Sequence, residues 1–249
     1  MKTLKVFSAL LSYPTPELIA AGDELSGILV REALLSPDVR GRVQALITDL
    51  AATDLVAAQE AYVDLFDRSR ALSLHLFEHV HGESRDRGQA MVDLMHLYEE
   101  AGFDVSASEL PDYLPLFLEF ASTRAPADAL ELIGQPAHVI AALHERLKRR
   151  QSPYAAVMEA MLALAKVETD ADMLARLMAE PDPAPDDLEA LDAEWEEQEV
   201  LFGPGAAADD CGRDTLAARL RQARRPADGA APKPARPRVE VTHSAATRG

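Results

Sequence analysis

Apolar residues recur along most of this chain three and four positions apart, the spacing that lines up one face of a helix. Leu18, Ala21 and Leu25 follow it, as do Val39, Val43, Leu46 and Leu50, and again Val157, Met161 and Leu164. Each run opens on a hydroxyl residue followed by proline: Thr15-Pro16, Ser36-Pro37 and Ser152-Pro153. Such a hydroxyl accepts from the free N–H groups of a first helical turn, and proline there lacks only an N–H that would have no partner. With a further segment at 55–67, these runs predict the outer walls of a helical bundle. Near the N-terminus, the apolar run from Val6 to Leu11 is too short for a secretory signal and meets Tyr-Pro instead of a small-residue cleavage site. It reads as the first core helix.

The residues with most chemistry to offer gather at 62–94, YVDLFDRSRALSLHLFEHVHGESRDRGQAMVDL. Leu72, His75, Leu76 and His79 stand at i, i+3, i+4 and i+7, which predicts a helix carrying both histidines on or beside its core stripe. Glu78 falls on another side, near Leu74 and His81. Gly82 reads as the stop and Ser84 as the cap of the next helix, on which Met91, Leu94, Met95 and Tyr98 share a face and which Gly102 closes. The following SELPDYLPLFLEF predicts a helix over 111–120, with Pro111 in its first turn, Pro115 shaping its start, and Leu114, Phe117 and Leu118 facing inward. Ala125-Pro126 and Gln135-Pro136 punctuate two shorter helices. The second ends in Lys148, Arg149 and Arg150, cations that complement the helix dipole.

Composition agrees with an all-α fold. Of 249 residues 48% are hydrophobic but only 5% aromatic, and β-branched runs are few. A formal net charge of −17 argues against nucleic acid as a partner, because neutralising phosphates takes clustered Lys and Arg. The lone Cys211 excludes an internal disulfide and any zinc or iron-sulfur site built on cysteines, and suits a reducing cytoplasm. No run of about 18 apolar residues is present to span a membrane.

Charge divides the C-terminal third. Residues 168–199 hold thirteen acidic side chains and one basic, Arg176, with PDPAP in their midst. They read as a solvated linker and a last amphipathic helix that docks through Leu188, Leu191 and Trp195. From Pro204 onward, nine basic residues face five acidic ones in a stretch rich in Gly, Ala and Pro, where disorder is expected beyond a short helix near 216–220. A contact between this basic tail and the acidic segment is one possibility. The expected organisation is a helical domain at 1–166, an acidic segment with a docking helix at 167–203, and a disordered tail at 204–249.

His75-Leu-Phe-Glu78-His79 matches H-x-x-E-H, in which two histidines on one helical face bind zinc and the glutamate serves as general base. A zinc-dependent hydrolase is therefore one reading, although the pattern is short and needs a third ligand from elsewhere. Histidines hydrogen-bonded at the edge of a packed helix are the plainer one. Arg85 and Arg87 add a third, a binding surface with forked donors for carboxylate or phosphate, while 83–87 would equally make a self-satisfied ionic loop. No glycine-rich phosphate loop, nucleophile elbow or dinucleotide fingerprint occurs.

LFEHVHGESRDRGQAMVDL, then ELPDYLPLFLEF and later LDAEWEEQEVLFGP, resemble in order the blocks of the NarJ family of nitrate reductase assembly chaperones, over roughly residues 3–204. The resemblance implies a compact multi-helix bundle of the redox-enzyme maturation chaperone type, with no catalysis of its own. It further implies a cytoplasmic partner, the apo form of the nitrate reductase catalytic (alpha) subunit. That subunit would be recognised through its N-terminal segment and held for insertion of the molybdenum cofactor before membrane docking. Cofactor would not stay bound to the chaperone but touch it in passing, and molybdenum cofactor biosynthesis proteins are implied as further partners. For such a client the expected site is an apolar trough between 72–81 and 111–120. Phe77, Tyr113 and Phe117 would be its apolar contacts and His79 and His81 would stand beside them. Glu78, Asp86 and Asp93 would meet a basic or amino-terminal peptide, and Arg85 and Arg87 would meet acids or cofactor phosphates.

Overall fold

In the computed structural model, residues 1–68, 70–81, 85–105, 109–167, 169–179 and 182 are described, without the side chains of His81, Arg85 and Asp86. The first helix, α1 (Lys2–Leu10), is a core element as its apolar run predicts: Leu4, Val6, Phe7, Leu10 and the adjoining Leu11 are all buried. It packs on α3 (Gly22–Glu32) and on α8 (Leu114–Ser122), to which Ser8 also donates a hydrogen bond, at Pro115 O. No side chain of its own caps α1. Glu32 does so from the end of α3, its Oε1 accepting from Lys2 N and its Oε2 from Thr3 N and Thr3 Oγ1 at 2.7–2.9 Å. Burial pushes the Glu32 carboxyl up, but these bonds outweigh it and hold the group below its ordinary value.

Thr15 caps α2 (Pro16–Ala20) through Leu18 N and Ser36 caps α4 (Pro37–Ala52) through Val39 N, as the hydroxyl-proline pairs predict. Asp54 caps α5 (Leu55–Phe66). The third pair behaves differently. Here α10 (Ala137–Arg149) is closed by Gln151 at φ +52 and by Ser152 N donating to Leu147 O at 2.9 Å, so Ser152 ends one helix and α11 (Ala155–Ala165) starts later. Nor is α11 an outer wall. Its Val157, Met158, Ala160 and Met161 are fully buried between α4, α9 (Pro126–Gly134) and α10, because its alanines let neighbours approach faces that the apolar stripe alone would leave open.

The widest departure from the sequence pattern is at 73–77. A 3-10 turn (Arg70–Leu72) leads into an irregular segment, and helix resumes only for the four residues of α6 (Glu78–His81). His75 pairs antiparallel with Tyr113, Leu76 N donating to Asp112 O at 3.1 Å and Leu114 N to Leu74 O at 2.8 Å. Leu72, Leu74, Leu76 and Phe77 are all buried, which a single helical stripe cannot achieve. The alternation of leucines wins once another segment supplies the backbone partners that a helix would have supplied internally. Because 112 and 113 are used in this pairing, α8 begins at Leu114 rather than at Pro111.

From there α7 (Arg85–Glu100) buries Ala90, Leu94 and Tyr98 and ends at Gly102, whose φ of +71 lets Phe103 N return to Tyr98 O at 2.9 Å. After Lys166 the chain forms α12 (Ala171–Met178), capped by Asp170 and packed on α10. Among the described residues there are twelve α-helices and no strand, in agreement with the all-α expectation, and no helix is long and apolar enough to cross a membrane. The Gly82 stop, the Ser84 cap, the helix near Trp195 and the tail helix near 216–220 lie outside the described residues.

Candidate functional site

Asp112 is the pivot of the pairing between 74–76 and 112–114. Its side chain is fully buried, Oδ1 lies 3.2 Å from His75 Nδ1, and Oδ2 accepts Phe77 N–H at 3.0 Å. Ser73 Oγ accepts the His75 backbone N–H, and His79 Nε2 donates to Ser73 O at 2.8 Å. The His75 ring lies against Tyr113, at 5.4 Å between centroids. Tyr62 OH donates to Leu11 O at 2.8 Å and stands 3.1 Å from Tyr113 OH, so one polar chain joins α1, α5 and the paired segments.

The two histidines titrate in opposite directions. Burial would lower His75, but the hydrogen bond and charge of Asp112, with Glu78 adding, raise it above its ordinary value. His79 is enclosed, and burial lowers it, reinforced by the charge of Arg146 and opposed by the bond to Ser73 O. Arg146 itself is fully buried, Nη1 donating to Ala71 O at 2.7 Å and Nη2 to Leu177 O at 2.6 Å. It thereby ties α10 to the 3-10 turn below the site and to α12.

This geometry removes the helical basis of the zinc reading. His75 lies outside α6, and the two imidazoles are committed to Asp112 and Ser73 rather than aligned on one face. Among the described residues no group of three or more His, Cys, Asp or Glu is placed to hold a metal ion. The two facing helices expected to flank a trough also change form: 72–81 is not one helix, and 74–76 are hydrogen-bonded to 112–114.

Of the residues expected to meet a client, Phe77, His79 and Phe117 are buried. Glu78, Arg87, Asp93 and Tyr113 are half-buried and reach the surface. Arg87 Nη2 lies 3.1 Å from Glu78 Oε1 and so pins α7 to α6, and Asp93 accepts from Gln89 one turn away. The side chains of His81, Arg85 and Asp86 lie outside the described residues. Sequence reasoning did not single out Asp112, Ser73, Tyr62 or Arg146. Only Arg146 left a signal, standing at i+7 on the stripe of Val139, Ala142 and Leu143, where a charge must be buried with partners.

Residues 32–160, which contain all of these groups except Tyr62's partner Leu11 and Arg146's partner Leu177, match the family described as nitrate reductase delta subunit. The chain belongs to that family. Among its relatives, the nitrate reductase molybdenum cofactor assembly chaperone NarJ of Escherichia coli (strain K12) is 41% identical over 89% of this chain and 92% of its own length. The probable chaperone NarW of the same strain is 39% identical over 81% of this chain and 84% of its own. The probable NarJ of Bacillus subtilis (strain 168) is 30% identical over 65% and 86%. In this delta subunit family member, the blocks LFEHVHGESRDRG and ELPDYLP that carry the resemblance are joined where Asp112 of the second accepts the N–H of Phe77 in the first.

Proposed function

We propose that this chain is a non-catalytic assembly chaperone for nitrate reductase. It holds the apo catalytic subunit through that subunit's N-terminal segment, in the cytoplasm, while molybdenum cofactor is inserted and before the enzyme docks at the membrane. The observation that carries this reading is 41% identity, nearly end to end, to a chaperone named for that task. The site geometry supports it: the histidines and Asp112 of the central motif are engaged in holding backbone, as a scaffold requires, with no zinc pair on a helix. Molybdenum cofactor is cargo of the client, which biosynthesis proteins deliver, and its contact with the chaperone is transient. Client contact falls to the surface around Glu78, Arg87, Asp93 and Tyr113, joined by His81, Arg85 and Asp86, with Phe77, His79 and Phe117 supporting it from beneath.

Calorimetric titration of the full chain with a peptide from the N-terminus of the catalytic subunit tests this. Saturable one-to-one binding is expected, weakened at least about tenfold in Arg85→Gln/Arg87→Gln, the loss of one charge-assisted contact, with little change in melting temperature. A large fall in melting temperature with unchanged affinity would reduce the arginines to structural pins. Failure of the peptide and of the intact apo subunit to bind would overturn the chaperone reading.

A further inference from the structure

A cleft of about 330 Å3 opens between α7, α8 and α9, away from the paired segments. Leu97, Ala101, Phe120 and Leu132 form its apolar lining. Glu100, Asp128 and Glu131 stand exposed around it, three acidic groups against the single guanidinium of Arg124, which lies 5.5 Å from the centre of the Phe120 ring. Gln135 also lines the cleft. It is only 6% exposed, and its Oε1 has no hydrogen-bond partner among the described residues. A buried amide oxygen left in this way is costly, and the missing partner is a donor. A cationic group with several N–H donors and a planar apolar face satisfies the carboxylates, the amide and the lining together, and arginine is that group.

We propose that the cleft is a docking site for the chain's own C-terminal segment at 233–238, Lys-Pro-Ala-Arg-Pro-Arg, with Arg236 entering between Glu100, Asp128 and Glu131. No acidic residue lies between Asp228 and Glu240, so the positive charge of Lys233, Arg236 and Arg238 has no immediate neighbour to cancel it. Prolines at 232, 234 and 237 favour an extended left-handed backbone in which residues three apart, here Lys233 and Arg236, share an edge. About fifty residues separate Asp182 from this segment, and a flexible chain of that length has an end-to-end distance of about 40 Å. Tethering also supplies it at an effective concentration on the order of millimolar, so a modest intrinsic affinity suffices.

The test uses the full chain with Cys211→Ser and Ala235→Cys, a nitroxide on the new thiol, and amide NMR. Signals of Glu100, Ala101, Arg124, Asp128, Glu131 and Gln135 are expected to broaden and to recover when the label is reduced. The broadening should vanish in Glu100→Gln/Asp128→Asn/Glu131→Gln, in Lys233→Ser/Arg236→Ser/Arg238→Ser, and at high salt. The tail variant leaves the helical body untouched, so misfolding cannot imitate the loss. Absence of broadening, broadening centred on the acidic residues of 180–199, or broadening indifferent to both variants would overturn the proposal. No client is present, so the outcome is independent of the chaperone reading.

Discussion

Asp112 Oδ1 meets His75 Nδ1 at 3.2 Å while the other oxygen of the same buried side chain takes the N–H of Phe77. One side chain thus fixes both an imidazole and the backbone just before α6. Two segments far apart in the chain keep their antiparallel register because Asp112 sits at the crossing, alongside the two backbone bonds that flank it. Family members in which this motif is intact are expected to share the clasp.

Replacing Asp112 therefore tests the clasp directly. Asp112→Ala strands the buried Phe77 N–H and leaves the half-buried His75 without its partner, and should cost about 3 kcal/mol in urea unfolding, whereas Asp112→Asn, which retains an acceptor, should cost about half as much. In both variants His75 should titrate lower by NMR, since the Asp112 carboxylate that does most to raise it is gone while only Glu78 remains. An unchanged His75 titration would mean that the Asp112 contact does not govern it.

The opposite shifts of His75 and His79 should make their joint contribution to stability greatest near the ordinary histidine value. His75, raised in the folded state, contributes fully below the unfolded value of about 6.5 and is lost as pH rises through its folded pKa. His79, depressed by burial, contributes above about 6.5 and is lost as pH falls through its folded pKa, with His144 adding in the same direction. Urea midpoints measured from pH 5 to 8 should accordingly show His75→Gln flattening the alkaline limb and His79→Gln the acid limb. The reverse pattern would contradict both assignments.

Arg146 should hold α12 to the body. Arg146→Lys keeps the charge but lacks the fork that reaches Ala71 O and Leu177 O together, and is expected to destabilise by about 2 kcal/mol. Hydrogen exchange should show α12 amides exposed before those of α10 and α11. Equal protection of all three helices would show that α12 is held by its apolar face alone.

Much of the architecture was legible because it depends on neighbours in the chain. Thr15-Pro16 and Ser36-Pro37 start helices through atoms two or three residues away, and Gly102 ends one through its own backbone freedom. The central motif was legible as a place but not as a shape. Its histidines have helical spacing and its leucines alternate, and nothing local decides between the two periods. The trough expectation rests on two facing helices, and residues 73–77 of one of them are not helical.

By itself, the sequence determined the helical class, the starts of several helices, the core role of α1 and the family, since periodicity, capping and motif order are all written in consecutive residues. Only the tertiary structure decided that 73–77 leave the helix to pair with 112–114, that Glu32 caps a helix thirty residues before it, and that Arg146 is enclosed between the 3-10 turn and α12. Each of these depends on a hydrogen-bond partner distant in the chain. A buried polar group takes whichever partner the packed fold brings to it, and spacing along the sequence carries no record of that choice.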